Sequence, residues 1–235
     1  MSNDDIVIYS HGFGVDKTDR GLFTEIASYL PEYRHVMFDY NFMNENGQIV
    51  TTALDKQASA LRNIYDEIRS QNPDSTIHLI CHSQGCVVAG LARIPVVSTF
   101  CLAPPLGAVG GSDDKLREMV YDRPGTKDLE GGGTWWPRSD GNVTIISKEY
   151  WESYGELPEL TGLYGELADV TELVMFVATE DELLGQSDCS GLSQKIRVIE
   201  METGHNFLGV REDVTEMIGE VLRAEKKRVT YPIKK

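Results

Sequence analysis

The stretch Ile77–Gly85 reads IHLICHSQG and joins a buried-strand pattern to a tight turn around a serine. Its first residues form a near-continuous apolar run, as is typical of a strand buried on both faces of a parallel sheet. A turn around Ser83 follows, with the small residues Cys81 and Gly85 two positions before and after it, and then a helical pattern over Val87–Arg93. Strand, small-x-Ser-x-Gly and helix make up the nucleophile elbow, here in a variant form because cysteine replaces the first glycine.

Apolar runs of the same kind recur along the 235 residues and alternate with helical patterns such as Thr51–Gln71 and Glu212–Lys227. They predict six strands, at Ile6–Tyr9, His35–Asp39, Thr76–Cys81, Val96–Leu102, Leu173–Ala178 and Lys195–Glu200. Alternating strands and helices favour the α/β class, with a doubly wound, mostly parallel sheet of about six strands. The length suits one domain, so we expect residues 1–235 to form a single unit.

The segment 104–169 interrupts the alternation, because it is rich in Gly, Pro and Trp and contains one short β-type run, Val143–Ser147. Long segments with little regular pattern are usually functional or mobile. We expect an inserted cap or lid over the C-terminal edge of the sheet. Its tryptophans Trp135, Trp136 and Trp151 are candidates for lining a substrate pocket, and a role in anchoring the cap is equally open.

The first predicted strand ends in the sequence HGFG at residues 11–14. Glycines allow the backbone to approach a ligand closely, and amide N–H groups can stabilise a developing oxyanion. The amide of Phe13, together with that of Gln84 after the serine, would form such an oxyanion hole.

Two further candidates follow later strand ends, in chain order. Asp181 comes directly after the strand Leu173–Ala178, with Glu180 beside it as an alternative, and His205 lies in the turn after the last strand. His205 is the only histidine beyond the elbow, so it is the sole late candidate for a base that would take the proton of Ser83.

Taken together, these motifs resemble the α/β-hydrolase fold, and the resemblance covers most of the chain apart from segment 104–169. It implies that Ser83 is the nucleophile, His205 the base and Asp181 the acid, with the amides of Phe13 and Gln84 as oxyanion hole. Asp181 is preferred over Glu180 because it matches the family's acid motif in register. The family sheet usually opens with an antiparallel hairpin, which this sequence lacks, so we expect only the six parallel strands, with the first two crossing over.

The resemblance also implies an activity, namely cleavage of a small to medium carboxylic ester through an acyl-enzyme. A thioesterase, an amidase or an acyltransferase would use the same residues, and fold-level similarity does not separate them. Two readings without this chemistry stay open. One is a non-catalytic binding protein of the same fold, favoured by Cys81, and the other is an unrelated doubly wound protein, in which Ser83 and His205 would lie far apart.

The amino-acid composition indicates which classes of binding partner are disfavoured. The formal net charge is −15, which disfavours binding to nucleic acid or to an anionic membrane surface. The sequence has no phosphate-binding or dinucleotide-binding glycine motif, and its five scattered histidines do not suggest zinc. We therefore expect a small-molecule acyl substrate, no cofactor and no metal. The acidic start resembles no signal peptide, so a cytoplasmic location is expected, and nothing indicates an oligomeric state.

Overall fold

The computed structural model describes residues 5–107 and 114–230, the stretch 225–230 by its backbone only. In chain order, the strands are β1 (Ile6–Ser10), β2 (Arg34–Met37), β3 (Phe42–Met43), β4 (Ile49–Val50), β5 (Ile77–His82), β6 (Ser98–Leu102), β7 (Lys127–Asp128), β8 (Thr134–Pro137), β9 (Val143–Ile146), β10 (Glu172–Ala178) and β11 (Arg197–Met201). The helices are α1 (Leu22–Tyr29), α2 (Leu54–Gln71), α3 (Gln84–Ala92), α4 (Lys115–Tyr121), α5 (Lys148–Gly155), α6 (Leu160–Leu167) and α7 (Arg211–Thr230).

The main sheet has six strands in the order β11-β10-β6-β5-β1-β2, and every pair in it is parallel. This confirms the predicted sheet, and each strand lies within two residues of its predicted bounds. In the described part of the chain no antiparallel strand joins this sheet. None of the described helices is long and apolar enough to cross a bilayer.

Helices cover both faces of the sheet, which explains the nearly unbroken apolar runs. On β1, Val7 and Tyr9 pack on one face in a cluster with α1 and α7. Ile6 and Ile8 pack on the other face with residues of α2, α3 and α6. Successive side chains of a strand point to opposite faces, so a strand covered on both must be apolar throughout.

The chain reverses its direction of travel across the sheet between β1 and β5. From β1 it runs outward to the edge strand β2 and then returns to pair β5 with the other side of β1. Ligands of open α/β sheets bind at such switch points, outside the carboxyl ends of the strands. Ser10 at the end of β1 is in register with Cys81 in β5, so the HGFG segment and Ser83 leave adjacent strand ends.

A second, five-stranded sheet in the order β3-β4-β9-β8-β7 contains much of the segment 104–169. The segment therefore has more regular structure than its composition indicates, including three helices. The β-type run Val143–Ser147 corresponds to β9, but its antiparallel neighbour β8 is too short for a periodic signal. Helices α4 and α5 begin at the side-chain caps Asp114 and Ser147, which precede only short helices. Residues 42–50 supply β3 and β4, a contribution to this sheet that the sequence did not reveal. The domain bounds of the predicted cap stay a prediction.

Candidate active site

The turn between β5 and α3 holds Ser83 in a backbone conformation that few residues adopt, with φ 52° and ψ −123°. Such strain persists only where the surroundings enforce it. Gly85 is part of that enforcement, because a Cβ there would overlap the carbonyl oxygen of Ser10 in β1. Cys81, in place of the first glycine, has its side chain fully buried in the hydrophobic cluster formed with α2 and α3.

Ser83, His205 and Asp181 lie in one hydrogen-bonded chain. His205 Nε2 lies 3.0 Å from Ser83 Oγ, and His205 Nδ1 lies 2.7 Å from Asp181 Oδ2. An ionised carboxylate only accepts hydrogen bonds, so Nδ1 carries the proton and Nε2 is free to accept the proton of the serine hydroxyl. The alternative acid Glu180 is exposed, whereas Asp181 is buried.

Backbone amides complete the surroundings of Asp181. Its Oδ1 accepts hydrogen bonds from the N–H groups of Leu183 and Leu184, at 2.9 and 2.8 Å. Burial alone would raise the pKa of Asp181, but the bonds from His205 and from these amides outweigh it and lower the pKa. The carboxyl group is therefore ionised at neutral pH and fixes the orientation of His205.

Burial also governs His205, whose side chain is almost wholly enclosed. Desolvation lowers its pKa, and the neighbouring His82 lowers it further, although Asp181 acts in the opposite direction. A neutral imidazole beside a serine hydroxyl can act as a general base near neutral pH.

A cavity of about 240 Å³ opens over this chain of residues. The described residues that line it include Phe13, Ser83, Gln84 and His205, so both predicted oxyanion donors border the same space as the serine. Trp136 is a lining residue, whereas Trp135 and Trp151 are not among the described residues that line it. Most of the remaining wall is apolar, with Leu54, Val87, Leu116, Met119, Leu157 and Leu160.

No protein-family model matches the sequence, and no curated protein sequence matches it. Solved structures do match its fold. Est1E from Butyrivibrio proteoclasticus aligns over 97% of this chain and 90% of its own, with 15% identity and a TM-score of 0.67. The esterase domain of a Rhodothermus marinus protein covers 97% and 89%, with 17% identity and a TM-score of 0.63. A monoacylglycerol lipase from Paleococcus ferrophilus covers 92% and 93%, with 15% identity and a TM-score of 0.61.

These neighbours and the sheet order decide the fold. The chain has the α/β-hydrolase fold. This α/β-hydrolase fold places Ser83, Asp181 and His205 after the carboxyl ends of β5, β10 and β11. That common edge is why residues more than a hundred positions apart meet at one site.

A buried polar network joins Gln84, one of the predicted oxyanion donors, to the helices α5 and α2. Tyr150 Oη donates to Gln84 Oε1 at 2.6 Å, and Gln84 Nε2 donates to Gln57 Oε1 at 2.7 Å. The ring of Phe13 packs against Trp136 and Tyr150, with centroid distances of 5.4 and 5.0 Å. Helix α5 therefore helps to hold both residues whose amides are the oxyanion candidates.

A second histidine–carboxylate pair, which sequence reasoning missed, lies beside the first. Asp19 Oδ2 lies 2.9 Å from His82 Nδ1 and also accepts the amide of Gly12 at 2.7 Å. His82 Nε2 lies 3.0 Å from the carbonyl oxygen of His205. Carboxylates and carbonyls accept hydrogen bonds, so both ring nitrogens of His82 are placed to donate, and its pKa is raised, which favours the imidazolium form. Asp19 lies in a polar loop with no periodic pattern, so nothing in the sequence set it apart.

Among the described residues, no group of three or more His, Cys, Asp or Glu side chains is arranged to hold a metal ion. The buried cysteines Cys81, Cys86 and Cys101 are free thiols under the elbow. What the site offers chemically is an aligned hydroxyl, imidazole and carboxylate under an apolar cavity.

Proposed function

We propose that this protein is a serine hydrolase that cleaves a small to medium carboxylic ester through an acyl-enzyme on Ser83. The observation that carries the proposal is the continuous chain from Ser83 Oγ through His205 to Asp181, with both distances within hydrogen-bond range. The solved neighbours, which include an esterase domain and a monoacylglycerol lipase, support ester cleavage as the class of reaction.

In the first half-reaction, Ser83 Oγ attacks the carbonyl carbon while His205 Nε2 takes the hydroxyl proton. The N–H groups of Phe13 and Gln84 stabilise the oxyanion of the tetrahedral intermediate. Gln84 is the first residue of α3, where a helix leaves its amides without internal carbonyl partners. The carbonyl then re-forms, the bond to the alcohol breaks, and the imidazolium of His205 returns the proton to the departing oxygen.

In the second half-reaction, water takes the place of the alcohol. His205 removes a proton from water as the water oxygen attacks the acyl carbon. The bond from this carbon to Ser83 Oγ then breaks, the imidazolium of His205 returns the proton to Oγ, and the acid is released. Asp181 keeps Nδ1 protonated throughout and stabilises the transient imidazolium. The cavity of about 240 Å³ is at the small end for ligand sites, which supports a modest substrate.

The test is covalent labelling with a fluorophosphonate, followed by release of p-nitrophenol from esters of graded acyl length. We expect the wild type to be labelled and Ser83→Ala to be silent in both assays. Ser28→Ala, a change at an exposed serine on α1, is the matched control and should label like the wild type. A folded wild type that resists labelling would favour the non-catalytic binding protein instead.

Thioesters, anilides and an added alcohol acceptor extend the same assay to the thioesterase, amidase and acyltransferase alternatives. A kcat/KM for one of them above that of every matched ester would reassign the substrate class while leaving the roles of the residues intact. The cytoplasmic location and the absence of nucleic-acid or membrane partners stay predictions from composition.

A further inference from the structure

The wall of the cavity over Ser83 differs in polarity between the part around Gln84 and the part around His205. Around Gln84 the wall is built from residues of α2 to α6, and we call this part the helical side. Tyr150 on α5 fixes its place, because the hydroxyl donates to Gln84 Oε1 at 2.6 Å and the ring stacks on Tyr154. The aliphatic side chains here are buried or half-buried: Leu54, Val87, Leu116, Met119, Leu157 and Leu160.

The polar groups of the helical side are bound to other protein atoms. Besides the bond made by Tyr150, Tyr154 Oη donates to Asp114 Oδ1 at 2.8 Å. The ammonium of Lys115 donates to a carboxylate of α4 itself, at 2.7 Å. The surface that remains for a ligand is therefore mainly apolar, which suits a hydrocarbon chain.

The part of the wall around His205, here called the histidine side, is polar and open to solvent. Amides of the segment 183–188 donate to Asp181, which places this segment beside His205. Arg20 joins the same side, since its Nη1 donates to Oδ1 of Asn206, next to the histidine, at 3.3 Å. Apart from two leucines the lining residues here are polar, and three of them are exposed: Arg20, Gln186 and Asp188.

The proposed reaction assigns one part of the ester to each side. His205 Nε2 protonates the departing oxygen, so the alcohol part leaves the scissile carbon toward the histidine side. The carbonyl oxygen faces the amides of Phe13 and Gln84, next to the packed rings of Phe13 and Trp136. The acyl chain takes the remaining direction from the tetrahedral carbon, which the helical side borders.

We propose that the substrate is an ester of a hydrocarbon acyl chain with an uncharged, hydroxylated alcohol. The chain lies along the helical side and the alcohol on the histidine side. A hydroxyl both donates and accepts, so it suits an opening that carries the guanidinium of Arg20 and the carboxylate of Asp188. A charged alcohol would face a group of its own sign there. This inference rests on the proposed ester hydrolysis and specifies its substrate class.

Two constitutional isomers exchange the polarity of the two parts of the ester. In 2,3-dihydroxypropyl hexanoate the acyl part is the hydrocarbon, and in hexyl 2,3-dihydroxypropanoate it carries the hydroxyls. Acid release in a pH-stat gives kcat/KM for both with the wild-type enzyme. We expect the first isomer to be preferred about tenfold or more, as burial of several methylene groups allows. Intrinsic reactivity works against this preference, because a hydroxyl beside the carbonyl activates the second isomer.

Two ester series measure the effect of each added methylene group. The acyl series runs from 2,3-dihydroxypropyl acetate to the hexanoate, and the alcohol series from ethyl to hexyl acetate. We expect kcat/KM to rise up to about fourfold per methylene in the acyl series and to change little in the alcohol series. Met119→Gln, on the helical side, should reduce the rise in the acyl series alone. Met43→Gln is the same change at an exposed residue of β3, which is not among the described residues that line the cavity, and should alter neither series.

Failure of this inference and failure of the proposed function are distinguishable. An isomer ratio at or below one, or a steeper rise in the alcohol series, would overturn the assignment of the two sides while Ser83 is still labelled. An acyl series that Met119→Gln leaves unchanged would place the chain elsewhere than on the helical side. No labelling and no cleavage of any ester would overturn the proposed function itself.

Discussion

The two histidine–carboxylate pairs of the site contain the same residue types, are both buried, and differ in what the second ring nitrogen faces. In the pair of Asp181 and His205, that nitrogen faces a serine hydroxyl, which can donate. In the pair of Asp19 and His82, it faces a backbone carbonyl, which can only accept. The surroundings therefore favour a neutral ring for His205 and a protonated ring for His82.

The pKa shifts agree with this difference. Burial lowers the pKa of both histidines, but for His82 the attraction of Asp19 and its hydrogen bonds outweigh burial, so its pKa is raised. For His205 burial prevails and the pKa is lowered. The ring centroids of His82 and His205 are 5.0 Å apart, so a positive charge on His82 also opposes protonation of His205. The pair of Asp181 and His205 can therefore move a proton (the mobile pair). The pair of Asp19 and His82 (the fixed pair) ties the loops of Gly12 and His205 to the elbow.

The largest expected effect is the loss of activity when His205, the proposed base of the mobile pair, is replaced. His205→Gln should lower kcat/KM for a p-nitrophenyl ester roughly 10⁴-fold or more, because nothing then takes the proton of Ser83. His82→Gln should retain most of the activity at pH 8, since the base remains. Equal losses in two folded variants, assessed by circular dichroism, would contradict the division of roles.

Next in size is the loss of the acid. Asp181→Asn should lower kcat about 10³- to 10⁴-fold, because an amide can stabilise the wrong tautomer of His205. Glu180→Gln, at the exposed neighbour, should stay within about twofold of the wild type. Steady-state kinetics at saturating ester would measure both, and the reverse order of losses would assign the acid to Glu180.

Sequence periodicity was sufficient to predict the strands of the main sheet, because strands covered on both faces are apolar throughout. Their alternation with helices predicts parallel strands, whose carboxyl ends lie at one edge of the sheet. The same logic predicts Ser83, Asp181 and His205 at one edge, where His205 lies within hydrogen-bond distance of the other two side chains. Their roles in catalysis stay predictions. Residue spacing carried this information because each of the three lies within four residues of the end of a strand of the main sheet.

The second sheet and the pair of Asp19 and His82 could not be predicted from the sequence, for a different physical reason. Strands of two residues such as β3 and β4 have no measurable period, and β9, the second partner of β4, is about a hundred residues away. Asp19 is an acid in a polar loop, and its burial depends on long-range contacts with His82. Of the three tryptophans predicted as pocket residues, composition alone could not tell that only Trp136 would border the cavity.

The free energy of unfolding tests whether the fixed pair, Asp19 and His82, is charged in the folded protein. Asp19→Asn should destabilise the fold by about 3 kcal/mol, because it leaves a buried histidine without its counter-charge. The raised pKa of His82 makes this contribution complete below the unfolded pKa of about 6.5 and lost as pH rises through the folded pKa. The lowered pKa of Asp19 makes it complete above about 3.9 and lost as pH falls through its folded pKa.

Urea unfolding across pH would measure this profile. The difference between wild type and Asp19→Asn should be largest between about pH 4 and 6.5 and should shrink at higher pH. Asp66→Asn, at an exposed position of α2, is the matched control, with an expected change within about 0.5 kcal/mol at every pH. A pH-independent difference would mean that His82 is neutral in the folded protein.

The smallest expected effect is a shift in the pH profile of the mobile pair. Activity requires neutral His205, so kcat/KM falls as pH drops through its pKa. Around His205, Asp181 and Glu182 raise that pKa, and His82 lowers it along with burial. His82→Gln removes the cation, so the acidic limb should move to higher pH.

The double variant His82→Gln/Asp19→Asn removes both charges of the fixed pair and avoids an unpaired buried carboxylate. It should show the limb displaced in the same direction, because His82 is among the charges that shift the pKa of His205 most and Asp19 is not. A purely structural role for His82 would lower kcat/KM uniformly across pH and leave the position of the limb unchanged. A limb that moves to lower pH would mean that Asp19, and not His82, dominates the field at His205.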